Sequence, residues 1–166
     1  MSLLLNGAKT MTIAGTTMQC LEIYTGEAYT LPIYFTDQNG NPANASIPNN
    51  WALTATANFY TVANVTYDEA NTEVILGNLT AISPQPNSAN YTLQTDFSNR
   101  TAGEAYLYIG NNITNSGNNT PNITLANNAA NSVLCLVTLT VTKQSTANAS
   151  LADINREPLG FIVRYQ

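Results

Sequence analysis

The chain reads as an all-β protein, folded as an antiparallel sandwich. Apolar residues alternate with a period of two in one segment after another. Clusters of Asn, Asp, Gly and Pro separate those segments, and no stretch carries apolar residues at a helical spacing. The composition agrees, because 24 Asn and 23 Thr among 166 residues favour turns and strands over helices.

The segment 17–24 (TMQCLEIY) has strand character with weak alternation. In 29–35, Tyr29, Leu31, Ile33 and Phe35 share one face, and DQNGNP (37–42) then turns the chain, since Asn-Gly tolerates positive φ and Pro42 cannot donate to a ladder. In 51–59, Trp51, Leu53, Ala55, Ala57 and Phe59 share a face. DEANT (68–72) is a turn, 73–82 (EVILGNLTAI) is one strand, and SPQPNSAN (83–90) is a connection in which Pro84 and Pro86 break any helix. Alternation resumes at 91–97 (Tyr91, Leu93, Thr95, Phe97) and at 105–109, where Ala105, Leu107 and Ile109 face away from Tyr106 and Tyr108. Residues 133–141 are apolar on both faces at first, with Val133, Cys135, Val137, Leu139 and Val141 opposite Leu134 and Leu136. In 159–165, Leu159, Phe161, Val163 and Tyr165 alternate with Gly160, Ile162 and Arg164. The sequence leaves room for a short helical turn at 127–132 or 149–155.

These elements divide into an arm at 1–16, a sandwich at 17–143 with a polar insert at 110–132, and an extension at 144–166 that carries a final strand. Leu3, Leu4 and Leu5 form a contiguous apolar trio in the arm, a candidate partner contact. The insert is longer than most ordered connections and reads either as a loop tip or as a segment that orders against a partner.

Composition excludes several functions. Ten acids against five scattered bases give a net charge of −5, with no basic patch to neutralise a row of phosphates, so nucleic acid is not an expected partner. No run approaches the roughly 20 apolar residues of a membrane span. The start lacks the basic region of a secretory signal, which places synthesis in a cytoplasm. Histidine is absent, which removes Ser-His and Cys-His catalysis and His-bound zinc together. Most acids sit at predicted turns, among them Asp37, Asp68, Glu69, Glu73, Asp153 and Glu157, so a glycosidase pair is not expected. Asp37, Asn39 and Asn41 resemble the start of a calcium loop, but Pro42 and Pro48 occupy the positions of its Gly and bidentate Glu. No catalytic residue, metal or cofactor is expected. Cys20 and Cys135 read as small buried hydrophobes rather than a disulfide. The nine N-x-[ST] matches follow from composition. Trp51 belongs with the core face, whereas Tyr106 and Tyr108 face away from it and are candidates for a partner surface.

Three stretches carry a likeness. GEAYTLPIYFTDQNGNPANASIPNNWALTATANFY (26–60) resembles the opening of phage baseplate upper proteins and related immunoglobulin-like virion modules: a Gly turn, a strand of alternating apolars, an acid with Gly and Pro, then a strand with an x-T-A-T run. ANYTLQTDFSNRTAGEAYLYIG (89–110) and SVLCLVTLTVTK (132–143) resemble the same modules' later strands. The likeness spans 17–143 and implies an immunoglobulin-like sandwich with N- and C-terminal extensions. It also implies a non-enzymatic structural protein of a tailed-phage particle, assembled in the host cytoplasm and found in the virion. Its role would be a tail, baseplate or fibre-anchoring subunit. Its partners would be other virion proteins and copies of itself. A head decoration protein and a carbohydrate-binding adhesin module, with a surface glycan as ligand, are the alternatives. The chain stops where those families continue into a receptor-binding part, which fits a small adaptor. Phe161 and Val163, in the final strand, join Leu3, Leu4, Leu5, Tyr106 and Tyr108 as candidate partner-binding residues, because that strand and the arm would serve as edges between subunits.

Overall fold

Two facing sheets contain every strand of the described residues, which are 7–24, 26–47, 50–111, 132–144 and 152–164 of a computed structural model. The strands are β1 (Lys9–Ile13), β2 (Thr16–Tyr24), β3 (Tyr29–Tyr34), β4 (Ala52–Val62), β5 (Val65–Tyr67) and β6 (Glu73–Leu76). They continue with β7 (Leu79–Ala81), β8 (Leu93–Asn99), β9 (Glu104–Ile109), β10 (Ser132–Gln144) and β11 (Ala152–Arg164). The larger sheet has the order β5-β6-β1-β2-β11-β10-β4-β7, and the smaller has β3-β9-β8. Strands β3, β9 and β8 on one side, with β11, β10, β4 and β7 on the other, reproduce the B-E-D and G-F-C-C′ arrangement of an immunoglobulin-like sandwich.

Alternation determines the facing of each strand. Cys135 of β10 lies between Phe59 of β4 and Phe161 of β11, and Val137 between Ala57 and Leu159. Across the gap, Leu107 of β9 lies between Leu31 of β3 and Thr95 of β8. These inward side chains form one core in which Ile33, Phe59, Leu107, Ile109, Cys135, Val137, Phe161 and Val163 are inaccessible to solvent. Each large apolar side chain buried there contributes roughly 1.5–3 kcal/mol.

A second core lies on the opposite face of the larger sheet. Leu134 and Ile162 are adjacent across β10 and β11, and they cluster with Met11 of β1, Cys20 of β2, Val62 of β4 and Val74 of β6. Gly160 makes room for this layer. A Cβ placed on it would stand 1.9 Å from the Met11 methyl carbon. The both-face apolar run at 133–137 thus has a cover on each side.

Several expectations are corrected. Two joins of the larger sheet are parallel, β1 with β6 and β2 with β11. Residue alternation specifies facing and is silent on the direction of the neighbour. Part of the expected arm is β1, which pairs with β2 and β6. The expected C-terminal extension supplies β11, which is enclosed by β10 and β2 and is not an edge. The 73–82 strand is two strands, because Gly77 and Asn78 leave the ladder to bond Asn64 and Ala63. Residues 152–155 are strand, not a helical turn, and a 3-10 turn at Ser88–Asn90 lies between β7 and β8. The other expected turn and nearly all of the polar insert lie outside the described residues, as do Leu3, Leu4 and Leu5.

Candidate interaction site

The outer face of the small sheet is built by the residues that alternate with its core. Leu31 and Ile33 turn inward, so Thr30, Pro32 and Tyr34 turn outward, and Tyr34 is 48% exposed. The same parity brings out Glu104, Tyr106 and Tyr108 on β9, and Gln94 and Asp96 on β8. The register sets Tyr106 between Pro32 and Asp96, and Tyr108 between Thr30 and Gln94. Tyr34 stands beside Glu104 at the end of the stripe. The face therefore presents three tyrosines, small neutral groups and two carboxylates, and none of its residues is Lys or Arg.

Its borders are β3 and β8, the two edges of the sheet. Pro32 is tolerated because an edge strand can lack one N–H without breaking a ladder between two neighbours. Neither strand carries Lys or Arg, the residues that most often blunt an edge. The turn that joins β8 to β9 is fixed by Gly103, at φ +64°, where an added Cβ would stand 2.5 Å from the Ala43 carbonyl oxygen and 2.7 Å from that of Phe35. That close approach ties the small sheet to the β3–β4 connection, since Phe35 N–H donates to Gly103 O.

The partner candidates separate accordingly. Tyr106 and Tyr108 lie together on this face, half-buried by their neighbours. Phe161 and Val163 are corrected: both are fully buried in the inter-sheet core, and their strand is hydrogen-bonded on each side, so they present no surface to a partner. Sequence reasoning missed Tyr34, although its place out of phase with Leu31 and Ile33 was the signal.

A cleft of about 630 Å³ opens at one end of the sandwich, lined by Gln38, Asn44, Ile47, Trp51, Lys143 and Asn155 among others. Trp51 anchors it. Its indole N–H donates to Ile47 O at 3.0 Å, its carbonyl accepts from Arg100 Nη1 at 2.7 Å, and the Lys143 ammonium stands 4.4 Å from its ring centre. The loop is held by Asp37, whose carboxylate accepts the N–H groups of Asn41 and Asn39 and is thereby kept below the ordinary carboxylate range. Among the described residues, no group of three or more Cys, Asp and Glu side chains could hold a metal, and no helix is long and apolar enough to cross a membrane.

No family model matches the chain, and no curated protein matches it. Among solved structures, it is similar to a structure of murine CRIg, with 11% identity over 95% of this chain and 96% of that one, at a TM-score of 0.38. A likeness at that level does not bear on what the chain does.

Proposed function

We propose that the chain is a non-enzymatic structural protein of a tailed bacteriophage particle, a tail, baseplate or fibre-anchoring subunit that acts through subunit contacts. The observation that carries this reading is the outer face of the small sheet, where Tyr34 on β3 and Tyr106 and Tyr108 on β9 lie among outward residues that include no Lys or Arg. Tyrosine offers apolar area with a polar tip and little conformational entropy to lose, and interface cores are depleted of charge because its desolvation is costly. Edges without Lys or Arg can extend a sheet into a neighbouring subunit through main-chain hydrogen bonds. The particle setting comes from the likeness of 17–143 to phage virion modules, and the low charge of 9% suits a subunit held by many repeated neutral contacts.

The test is incorporation. Particles from cells that carry the gene are purified, heads and tails are separated, and each fraction is analysed for this chain by mass spectrometry. The chain is expected in the tail fraction, and a Tyr34→Ser, Tyr106→Ser, Tyr108→Ser variant that folds normally is expected to be lost from it. Absence of the wild-type chain from every particle fraction overturns the reading. Undiminished incorporation of the triple variant removes the tyrosine face from it.

A further inference from the structure

The inward-facing series of two strands changes character at the cleft. On β10 it runs Val133, Cys135, Val137, Leu139, Val141 and then Lys143, and on β11 it runs Val163, Phe161, Leu159, Glu157 and Asn155. Parity therefore aims Lys143 and Asn155 into the space where the core would otherwise continue. Polar residues at positions that the pattern reserves for apolar ones mark a departure that packing alone does not favour. The β3–β4 connection closes the other side of this space with the amides of Gln38 and Asn44 and the exposed side chain of Ile47.

We propose that this cleft is a binding site for a neutral saccharide. Its lining matches a polyol ring. Carboxamides donate and accept at once, as sugar hydroxyls do, so Gln38 and Asn155 can each satisfy vicinal hydroxyls. The Asn44 side-chain oxygen Oδ1 accepts from Ser46 N–H at 3.0 Å, which leaves the side-chain Nδ2 to donate. Ile47 and the edge of the Trp51 indole, whose ring centre lies 4.4 Å from the Lys143 ammonium, supply apolar surface for the C–H face of a ring. One ammonium, Lys143, and one carboxylate, Asp37, line the cleft and leave no charge excess to select an ion. The frame is built before any ligand arrives, because Trp51 N–H bonds Ala45 O at 2.9 Å and its indole bonds Ile47 O.

Trp51 is the only tryptophan of the chain, so its emission reports on this cleft alone. Intact wild-type protein is screened on an array of bacterial-surface oligosaccharides. It is also titrated with free hexoses and N-acetylhexosamines up to tens of millimolar. Saturable change of the Trp51 emission by at least one of these probes is expected. Asn155→Ala and Gln38→Ala are each expected to weaken that binding about tenfold, as loss of one or two well-placed hydrogen bonds does. Lys143→Met keeps an unbranched side chain at this position and removes the ammonium over Trp51, which tests the charge separately, and thermal unfolding of each variant confirms that it is folded. Silence of the whole panel overturns the proposal. Binding of wild-type strength in both folded amide variants overturns it too.

Discussion

The side chain of Gln85 pairs with the main chain of Phe59 as a neighbouring strand would. Phe59 N–H donates to Gln85 Oε1 at 2.7 Å, and Gln85 Nε2 donates to Phe59 O at 2.9 Å and to Ile82 O at 2.8 Å. Strand β7 pairs with β4 only from Tyr60 to Val62, and Ile82 N–H adds one bond to Phe59 O. The amide thus extends the ladder one step past the point where β7 departs, at the residue of β4 whose ring is fully buried.

Replacing Gln85 by Leu removes this surrogate peptide and leaves the Phe59 N–H without its acceptor. A loss of about 1–2 kcal/mol is expected, the range for a part-buried hydrogen bond and the group it orphans. Gln85→Glu keeps the acceptor oxygens but loses the donor and sets a carboxylate against two carbonyls, so it is expected to be no better. Urea unfolding, with a lower midpoint and an unchanged slope, measures this. An unshifted midpoint in both variants would show that water replaces the amide at no cost.

The N-terminal segment, which the sequence reads as an arm, makes a second prediction. An arm could be removed without harm to the sandwich, but Met11 is fully buried against Gly160 and the outer core. Met11→Ala is expected to cost about 2–5 kcal/mol, as for other large-to-small changes in a core. Gly160→Ala is expected to destabilise by about 1–3 kcal/mol because the Met11 side chain must give way. Removal of residues 1–14 deletes β1 altogether and exposes the apolar face of β10 and β11. Such a truncation is expected to aggregate or unfold, whereas loss of residues 1–6 keeps β1 and its pairing with β2 and β6 in the chain. Equal thermal midpoints for the two truncations would contradict the role given to β1.

The facing of strands was legible because burial imposes a two-residue rhythm. Ile33 and Leu107 declare the inner face, and Tyr106 and Tyr108 the outer one. The run Val133 to Val137 is apolar at every position, but its cover on both faces emerged only from the structure. Pairing partners were not legible, since nothing in KTMTI says that it will lie parallel to EVIL across a crossover. The first half of β11 was hidden for a different reason. DINREP (153–158) carries three charges and a proline, yet the strand is paired with β10 along its full length, and Pro158 is accommodated opposite Thr138. The tyrosine face needed only alternation, and two of its three tyrosines were picked out. The cleft needed tertiary proximity of residues about 100 positions apart, Gln38 and Asn44 with Lys143 and Asn155, which no local pattern encodes.

Acid should weaken the turns that carboxylates hold together. Asp68 accepts Glu73 N–H and Thr72 N–H at 2.6 Å and the Thr72 hydroxyl at 2.9 Å, and the Glu73 bond foremost holds its carboxyl below the ordinary 3.8. Asp37 is lowered in the same direction, chiefly by Asn41 N–H. A depressed folded value contributes stability that is present above the unfolded value and is lost as pH falls through the folded one. The thermal midpoint is therefore expected to be flat above about pH 5 with respect to these groups and to fall below about pH 4. Asp68→Ala should lower the midpoint at neutral pH and flatten the acid limb. An acid limb of undiminished slope in the Asp37→Ala, Asp68→Ala double variant would assign the effect elsewhere.

The two cysteines make the last prediction, and their positions decide it. Cys20 and Cys135 are not bonded to each other, and they belong to different cores on opposite faces of the larger sheet. Strand β11 lies between their strands, so no side-chain rotation can join them. Burial pushes the Cys135 thiol up to about 12, so at neutral pH it carries its proton and is a poor nucleophile as well as an inaccessible one. Native protein is therefore expected to react with a thiol reagent only as fast as it unfolds, and denatured protein to release two equivalents per chain. Because Cys20 is also buried, the labelling rate at each temperature should equal the opening rate and not follow the thiolate fraction, as it does where labelling outpaces reclosing. Raising the pH from 7 to 9 at constant temperature separates the two cases. A labelling rate governed by opening and reclosing much slower than chemistry stays constant, and fast labelling of one thiol at pH 7 would place that cysteine outside its core.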